Sequence, residues 1–539
     1  MKLKFIKKLT QTKLILFISI FLVSFYNYSF FIEVTKIYKF DGINILYISS
    51  LFILLIAIIN FIFTLVSSKY TTKAILILVI FISSFTTYFM NTYHIVIDDS
   101  MIRNTLQTNM KESLDLFNLK LLVYIFCLGI IPAYIVYKIP LNYNNTKQEL
   151  INKIKSIFIS LFLIAVIIFS FSKFYTSFLR EHKPLRYYIN PTYWIYSISK
   201  YINLTYSNEK KELKKIGLDA KIIEDNERDE LKELVILVVG EAARADHFSL
   251  NGYNKKTNPL LEQDDVIDFS NMYSCGTSTA HSVPCMFSIL DKSDYSYKKG
   301  INTQNIIDLL HNTGKIDILW RDNNSDPKNV MNRLSYEDYK IPKNNTICID
   351  GECRDEGMLV GLDKYIKEHK NKDILIVLHQ MGNHGPAYYK RYPKEFELFK
   401  PVCKTNQLEL CTKEEISNAY DNAILYSDYF LDKTIKFLKK YSKTYETAMI
   451  YMSDHGESLG ENGIYLHGLP YFIAPNAQKH IGSFMWFSNE IKKDINIKNI
   501  IKNKDSKYSQ DNLFHTLLGI FEVKTNVYKK DMDILNGTK

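Results

Sequence analysis

No Cys-x2-Cys pair occurs anywhere in this 539-residue chain. That absence argues against the ribbons and fingers in which paired thiolates grip zinc. There is also no basic strip interleaved with aromatics. The 67 Lys and Arg against 57 Asp and Glu leave a net charge of only +10, most of it scattered lysine. Nucleic acid is therefore set aside as a partner, and an anionic membrane surface suits the basic excess better. No internal repeat is found, so the chain is not a repeat array. No small-residue cleavage site follows the first apolar run, Lys13–Glu33, which continues as Phe25-Tyr-Asn-Tyr-Ser-Phe-Phe31. That run is expected to anchor the chain rather than to be removed.

Cysteine itself is scarce, with seven in all. Cys127 sits in an apolar run. The other six form three close pairs in the C-terminal half: Cys275 with Cys285, Cys348 with Cys353, and Cys403 with Cys411. Such pairs read as disulfides, which persist in oxidising compartments, so the C-terminal half is expected outside the cytoplasm. What the N-terminal third has in abundance is Ile, Leu, Phe and Val. Five runs are long enough to span a bilayer: Lys13–Glu33, Ile43–Ser67, Lys73–Tyr93, Leu119–Tyr137 and Ile157–Phe174. Lys2, Lys4, Lys7, Lys8 and Lys13 precede the first; Lys69 and Lys73 lie between the second and third; Lys138, Lys147, Lys153 and Lys155 lie between the fourth and fifth. Positive charge marks the cytoplasmic side, and an odd number of spans then places everything after Phe174 outside. This agrees with the cysteines by an independent route. Tyr175–Tyr206, with its bases and aromatics, reads as an interfacial linker helix, and Glu209–Glu233 as a charged, flexible connector. The expected domains are 1–174 (membrane), 175–228 (bridge and linker) and 229–539 (soluble).

In the soluble half, apolar runs end in ligand-type residues. Leu234–Gly240 ends at Glu241, Asp373–Leu378 at His379 with His384 close behind, and Ala448–Ser453 at Asp454-His455-Gly-Glu457. Ile316–Trp320 leads into Arg321-Asp-Asn-Asn324 in the same way. Near-continuous apolar runs are buried parallel strands, and open α/β sheets carry their sites at the carboxyl ends of strands. Glu241, Asp454 and His455 offer two carboxylates and an imidazole, a set suited to Zn2+. The hydroxyl-rich loop between Cys275 and Cys285 offers Thr279, a hydroxyl that needs activation before it can act as a nucleophile. Singly, each has an ordinary reading: a strand-end Glu is often a surface residue, and Asp-His is a common dipeptide. The repeated placement at strand ends is what favours a metal-dependent phosphotransfer site.

Three stretches carry a specific resemblance: Val238-Val-Gly-Glu241-Ala-Ala-Arg244-Ala-Asp-His-Phe-Ser-Leu-Asn-Gly-Tyr253, Ser274-Cys-Gly-Thr-Ser-Thr279-Ala-His-Ser-Val-Pro-Cys285-Met-Phe-Ser288 and Ser453-Asp-His-Gly-Glu-Ser458. They resemble the phosphoethanolamine transferases of Gram-negative envelopes, a family that includes the lipid A modifiers conferring polymyxin resistance. The resemblance covers both halves, the three disulfides included. It implies a five-helix inner-membrane domain joined to a periplasmic α/β domain of alkaline phosphatase/sulfatase type. It also implies zinc held by Glu241, Thr279, Asp454 and His455, with Thr279 as nucleophile. His384 and His467 match residues that hold phosphoethanolamine or a second metal. Asn324, Ser325 and Lys328 match a polar substrate pocket. Asn104, Thr108 and Glu112, in the loop between the third and fourth runs, match residues lining the headgroup pocket. By spacing alone, i, i+4, i+8, that trio would be a solvated helix face. The implied reaction moves phosphoethanolamine from phosphatidylethanolamine to lipid A or another envelope acceptor.

Two departures concern the loops that set acceptor preference: Ala242 where the family often has Thr, and Asp326-Pro327 after the Trp-Arg-Asp-Asn-Asn-Ser stretch. The rivals are a phosphoglycerol transferase, a sulfatase, or a membrane sensor with an inactive outer domain. A sulfatase needs Cys or Ser at the nucleophile position, and an inactive domain would have lost ligand residues, yet all four are present.

Overall fold

The computed structural model describes residues 8–108, 110–206, 212–222, 231–349 and 351–535, leaving aside the side chains of 110–112 and 206. Lys2, Lys4, Lys7, the side chain of Glu112 and much of the expected connector lie outside the described residues. Contacts divide the chain into two units. One is Met1–Ile102 with Phe117–Tyr201; the other is Arg103–Leu116 with Ile202–Lys539.

Among the described residues, four helices of the first unit are long and apolar enough to cross a membrane: Asn44–Val66, Thr72–Tyr93, Leu119–Lys138 and Thr146–Ser170. The expected first span is a pair, Gln11–Tyr26 and Tyr28–Ile37, bent by 60°. So the count is four, or five if the bent pair crosses as one. The bend has a cause. Asn27 interrupts the apolar run, and its side chain donates to Leu22 O (3.1 Å) and Asn190 O (2.7 Å) while accepting from Asn190 N (3.0 Å). A polar group buried in this way takes backbone partners that a straight helix would keep. The last helix starts at Thr146 rather than Ile157 because Asn145 caps it, accepting from Gln148 N at 2.9 Å. Its Lys153 donates to Leu65 O and Ser67 O, both at 3.0 Å, the free carbonyls at the end of Asn44–Val66. The expected single linker helix is instead two helices, Ser172–Glu181 and Thr192–Tyr206, separated by a 3₁₀ turn at Lys183–Tyr188. Trp194 anchors the second through Nε1 to Ser83 Oγ and Asn190 Oδ1, both 3.2 Å. Exposed Phe158, Phe162 and Phe169 suit a surface that meets lipid.

The second unit is built on a seven-stranded sheet. Its strands, in chain order, are β1 (Lys232–Gly240), β2 (Ile267–Asp268), β3 (Ile316–Asp322), β4 (Glu337–Asp338), β5 (Asp373–His379), β6 (Tyr445–Ser453) and β7 (Ser483–Phe487). Their spatial order is β2-β7-β6-β1-β5-β3-β4. The five from β6 to β4 are parallel, and β7 and β2 complete one edge antiparallel. The apolar runs read from the sequence are these parallel strands, each extended by a residue or more. Both faces of β1 are buried. Val235, Leu237 and Val239 pack toward Phe287, Leu310 and Leu517; Leu234, Ile236 and Val238 pack toward Tyr420, Ile424 and Leu431. The second layer is led by the helix Lys413–Lys439, whose start is fixed by a capping box of Thr412 and Glu415. Three shorter helices, Thr279–Met286, Ile306–Asn312 and Asp511–Ile520, cover the other face.

All three expected cysteine pairs are disulfide-bonded: Cys275 to Cys285, Cys348 to Cys353, and Cys403 to Cys411. Cys127 is free. The bridges do different jobs. Cys348 and Cys353 face each other across a short antiparallel ribbon, and their bond locks its register. Cys403 and Cys411 bracket a surface loop whose end, at Cys411, immediately precedes the Thr412 cap of the long helix. Neither Cys353 nor Cys411 offers a ligand to the site described below, because a bonded sulfur is no thiolate. Both are staples of the scaffold. The bridge from Cys275 to Cys285, by contrast, encloses the loop that carries Thr279.

The expected flexible connector is corrected where it is described. Lys214 pairs with the backbone of Asn302 and Gln304, Ile216 is buried, and Lys221–Ile222 forms a ribbon with Val523–Lys524. The buried Ile216 supplies an apolar anchor that a charged segment would otherwise lack.

The sheet edge holds one uncompensated charge. Asp268 Oδ1 is buried without a partner, and burial pushes the carboxyl up to about 7. A raised folded-state pKa adds stability only in the protonated form, full below about pH 4 and lost as pH rises through 7. Asp268→Asn is therefore expected to raise the melting temperature most above pH 7, by the equivalent of about 4 kcal/mol, and hardly at all near pH 4. Thermal melts across that range check it.

Candidate active site

The strand register brings the site together. Ser453 pairs with Gly240, and His379 pairs with both Val239 and Asp322, so the carboxyl ends of β6, β1, β5 and β3 align. Glu241 is the first residue after β1. Ala242 follows with φ of 54°, a left-handed turn unusual for a residue with a Cβ, which swings the chain away and leaves the Glu241 side chain at the sheet's edge. From the other side, the loop after β5 closes in through Gly382, also left-handed at φ 46°. A Cβ there would meet the Glu241 carbonyl at 3.0 Å, and Asn383 N donates to that same carbonyl at 3.1 Å.

Thr279 opens the helix Thr279–Met286 inside the loop closed by Cys275 and Cys285. Its Oγ donates to Glu241 Oε2 at 3.1 Å and lies 3.3 Å from His455 Nε2. Asn324 Nδ2 donates to the same Oε2 at 2.8 Å and to Gln380 O at 2.9 Å, which fixes the carboxylate's rotation. Asp454 Oδ1 accepts from Ala242 N (3.1 Å) and His455 N (2.7 Å). His455 Nδ1 donates to Gly456 O at 2.8 Å, so its Nε2 is the atom with a free lone pair. Burial holds this imidazole below its ordinary pKa, hence neutral.

These residues fit a divalent cation. Glu241 Oε1 and Asp454 Oδ2 are fully buried yet lack any hydrogen-bond partner. They lie 3.5 Å and 3.3 Å from His455 Nε2. Burial, reinforced by the charge of Asp454, pushes the Glu241 carboxyl well above its ordinary range. Buried carboxylates crowded in this way are costly unless something positive joins them. Oxygen, oxygen, hydroxyl and imidazole nitrogen form a donor set for such an ion.

His467 and His384 border this cluster. The His467 ring centroid is 4.2 Å from that of His455 and 6.2 Å from that of His384. A ligand atom of His467 lies within 4.8 Å of those of Glu241 and His455. His467 Nδ1 donates to Glu457 Oε2 at 2.7 Å, and Tyr388 Oη donates to Glu457 Oε1 at 2.7 Å. Burial, then the charge of Arg391, holds His384 well below its ordinary pKa, and its Nδ1 is buried without a partner.

The remaining expected residues are placed less uniformly. Lys328 is buried, left-handed at φ 46°, with its ammonium 3.5 Å from Asp326. Ser325 is half-buried, and its carbonyl accepts from Lys340 Nζ. Asn104 and Thr108 do not lie on one helix with Glu112, whose side chain is outside the described residues. The helix Asp99–Gln107 ends where the Thr108 hydroxyl bonds back to Asn104 O at 2.6 Å, and a second helix, Met110–Asp115, follows. That second helix is tethered by Asp115, which pairs with Lys390 and Arg391, each at 2.5 Å. Arg391 in turn donates to His384 O at 2.7 Å.

Two positioning residues receive no role from the sequence. Glu457 lies in the Ser453–Ser458 stretch, two residues past His455, and that proximity was the available signal. Gln510 gave none. Its Nε2 donates to Ser453 O (2.9 Å) and Asp454 O (2.7 Å), while its Oε1 accepts from Cys275 N (2.7 Å). It therefore ties the loop that carries Thr279 to the end of β6. Gln510→Ala leaves three buried backbone groups unpaired, at about 1–3 kcal/mol each, and is expected to lower both melting temperature and turnover. A circular-dichroism melt alongside an activity assay checks both.

Comparison with known proteins adds a family to this geometry. The sulfatase family model matches residues 233–523, and the model for phosphoethanolamine transferase EptA/EptB matches residues 55–206. The chain is 42% identical to phosphatidylethanolamine transferase Mcr-2 of Escherichia coli over 520 residues, 95% of each. It is 38% identical to phosphoethanolamine transferase EptA of Escherichia coli strain K12, covering 94% of this chain and 93% of that one. Among solved structures it is similar to the integral membrane lipooligosaccharide phosphoethanolamine transferase A of Neisseria meningitidis. The match has a TM-score of 0.93 at 33% identity and covers 99% of this chain and all of that one.

Proposed function

The chain belongs to the phosphoethanolamine transferase family, and on that premise we propose that it moves phosphoethanolamine from phosphatidylethanolamine to lipid A or lipooligosaccharide, through a phospho-Thr279 intermediate. The observation that carries this reading is the Thr279 hydroxyl lying against Glu241 and His455 beside two unpartnered buried carboxylate oxygens. The donor follows the naming of the Mcr-2 relative, and the acceptor that of the Neisseria protein.

Glu241, Thr279, Asp454 and His455 would hold Zn2+, which supplies Lewis acidity to depress a hydroxyl pKa and to neutralise charge on phosphoryl oxygens. In the first step Thr279 Oγ bonds to phosphorus, the bond from phosphorus to the glycerol oxygen breaks, and diacylglycerol leaves carrying a proton. In the second, an oxygen of the acceptor's hydrogen phosphate attacks the same phosphorus, the P–Oγ bond breaks, and the proton that the acceptor gives up passes to Thr279 Oγ. Asn324 keeps the Glu241 carboxylate oriented throughout. His467, steadied by Glu457, and neutral His384 are placed to hold or pass protons at the departing oxygen. Lys328 and Ser325 complete the pocket wall. Asn104, Thr108 and Glu112 supply headgroup contacts from the segment that Asp115 fastens to Lys390 and Arg391.

The same reading sets the topology. The bent pair counts as the first of five spans, the lysine-rich connections face the cytoplasm, and the disulfide-bonded unit works in the periplasm at the inner membrane. Capping an acceptor phosphate with an ethanolamine adds a cation at the surface, so cationic peptides bind less.

The test uses the full chain in lipid nanodiscs with labelled phosphatidylethanolamine and no acceptor. Diacylglycerol release with a peptide containing Thr279 heavier by one phosphoethanolamine is the expected result. Release without any covalent adduct would overturn the two-step reading.

A further inference from the structure

Beside the nucleophile loop lies a cluster that the chemistry above does not use. The Lys292 ammonium sits 3.0 Å from the centroid of the Tyr471 ring, and Lys479 lies 5.2 Å from the same ring. Lys507 lies 5.4 Å from the Tyr273 ring, which stacks on His480 at 5.2 Å and 27°. His480 is itself held by Ser270 O at 2.7 Å. None of the three ammonium groups has a carboxylate within 4 Å among the described residues. Several other lysines of this unit do have a carboxylate partner: Lys255 has Asp421, Lys390 has Asp115, Lys433 has Glu356 and Lys439 has Asp264. Of the nearby acids, Asp511 accepts from the backbone N–H of Lys292 at 2.9 Å, Asp505 accepts from Ser270 Oγ at 2.5 Å, and Asp291 lies 3.5 Å from Lys529.

The lysines also repel one another. Burial lowers Lys292 to about 8; Asp511 opposes this, and the charges of Lys479 and Lys507 add to it. Gathering three like charges around two half-buried rings costs stability, and an arriving anion would relieve the repulsion.

Its position gives the cluster a purpose. Tyr273 immediately precedes the loop that carries Thr279, and Ser274 N donates to Lys479 O at 2.8 Å. The segment bearing Tyr471 and Lys479 begins at His467. It is tied back to the nucleophile loop by Gly468 N to Thr277 O (2.7 Å) and Thr277 Oγ to Leu469 O (2.6 Å). Tyr273, Tyr471 and Lys479 thus belong to the two segments that frame the reacting hydroxyl, while Lys292 and Lys507 reach the same rings from outside them. Ammonium groups recognise phosphate oxygens through short charge-assisted hydrogen bonds, and a tyrosine face offers an apolar platform for the C–H face of a sugar ring.

We propose that Lys292, Lys479 and Lys507 with Tyr471 and Tyr273 form the acceptor subsite, which binds a phosphorylated sugar. This deepens the transferase reading and rests on it for the word acceptor; the binding itself does not.

The experiment titrates the full chain, in detergent, with a bis-phosphorylated glucosamine disaccharide by calorimetry, and measures diacylglycerol release from phosphatidylethanolamine in parallel. Lys292→Gln and Lys479→Gln are each expected to weaken disaccharide binding about tenfold, and Lys507→Gln less because it is exposed. All three should leave diacylglycerol release unchanged. Unaltered binding in the double variant carrying Lys292→Gln and Lys479→Gln overturns the proposal. So does inorganic phosphate binding as tightly as the disaccharide, or phosphatidylglycerol vesicles losing affinity for the variants while the disaccharide does not; these outcomes indicate a bare anion site or a bilayer contact. Lost diacylglycerol release would place the lysines in the donor step or the fold, and overturns it too. If the wild-type chain binds the disaccharide through these lysines yet releases no diacylglycerol, the subsite stands and the transferase reading fails.

Discussion

Thr279→Ala is expected to abolish phosphoethanolamine transfer, by a factor of about 10⁴ or more, while leaving the fold intact. Fold and chemistry separate here because the two roles of Thr279 differ in size. Structurally, its hydroxyl contributes one hydrogen bond to Glu241 Oε2 at 3.1 Å and a contact to His455 Nε2 at 3.3 Å. Asn324 still holds the same carboxylate oxygen, and the bridge from Cys275 to Cys285 still shapes the loop. Losing one such bond costs about 1 kcal/mol. Chemically, it is the atom that bonds to phosphorus in the proposed first step, and three hydroxyls of the same loop are engaged elsewhere. Thr277 Oγ is committed to Leu469 O at 2.6 Å, Ser274 Oγ to Gly276 O at 2.5 Å, and Ser282 Oγ accepts from Gly276 N at 3.0 Å. Thr279→Ser retains the nucleophile and should keep measurable activity. Turnover within tenfold of wild type in purified, folded Thr279→Ala would rule out Thr279 as the nucleophile.

Much of this site is legible in the sequence because parallel strands buried on both faces must be written as unbroken apolar runs. The residues that stop those runs are then the ones that the register gathers: Glu241 after β1, Asp454 and His455 after β6, Asn324 just past β3. Cysteine spacing was legible too, since Cys348 with Cys353 and Cys403 with Cys411 are near enough in the chain to find each other locally. What the sequence hides is whatever depends on long-range partners. Gln510 reaches backbone groups 56 and 235 residues away, and no local pattern announces that. The Lys–Tyr cluster likewise draws on residues 273, 292, 471, 479 and 507. Other misses are local competitions that periodicity cannot see. The i, i+4, i+8 spacing of Asn104, Thr108 and Glu112 promises one helix, but the Thr108 hydroxyl returns to Asn104 O and the helix stops. Asn27 passes unnoticed in an apolar run until Asn190, distant in sequence, supplies the partner that bends it. Hydropathy alone would draw one straight span there.

Removing the proposed cation is expected to be as costly as removing the nucleophile, and in stability more so. Without it, Glu241 Oε1 and Asp454 Oδ2 remain buried and unpartnered beside one another, with the fully buried Glu457 close by. Such carboxylates must either stay ionised without compensation or take up protons, and both disfavour the folded chain. A ligand present at a thousand times its dissociation constant stabilises by about 4 kcal/mol. For a unit of this size that corresponds to roughly 6 °C in melting temperature. Dialysis against a strong chelator should therefore lower the melting point by about that amount and stop diacylglycerol release; added Zn2+ should restore both. The effect can be assigned to this cluster by combining treatment with mutation. In Asp454→Asn the carboxylate charge is gone, so the chelator-induced fall in melting temperature should shrink to about one degree. Asn324→Ala, which removes one of the two donors to Glu241 Oε2 but keeps every charge, should retain most of it. An equal fall in all three proteins would mean that the ion stabilises the chain somewhere other than at Glu241, Thr279, Asp454 and His455.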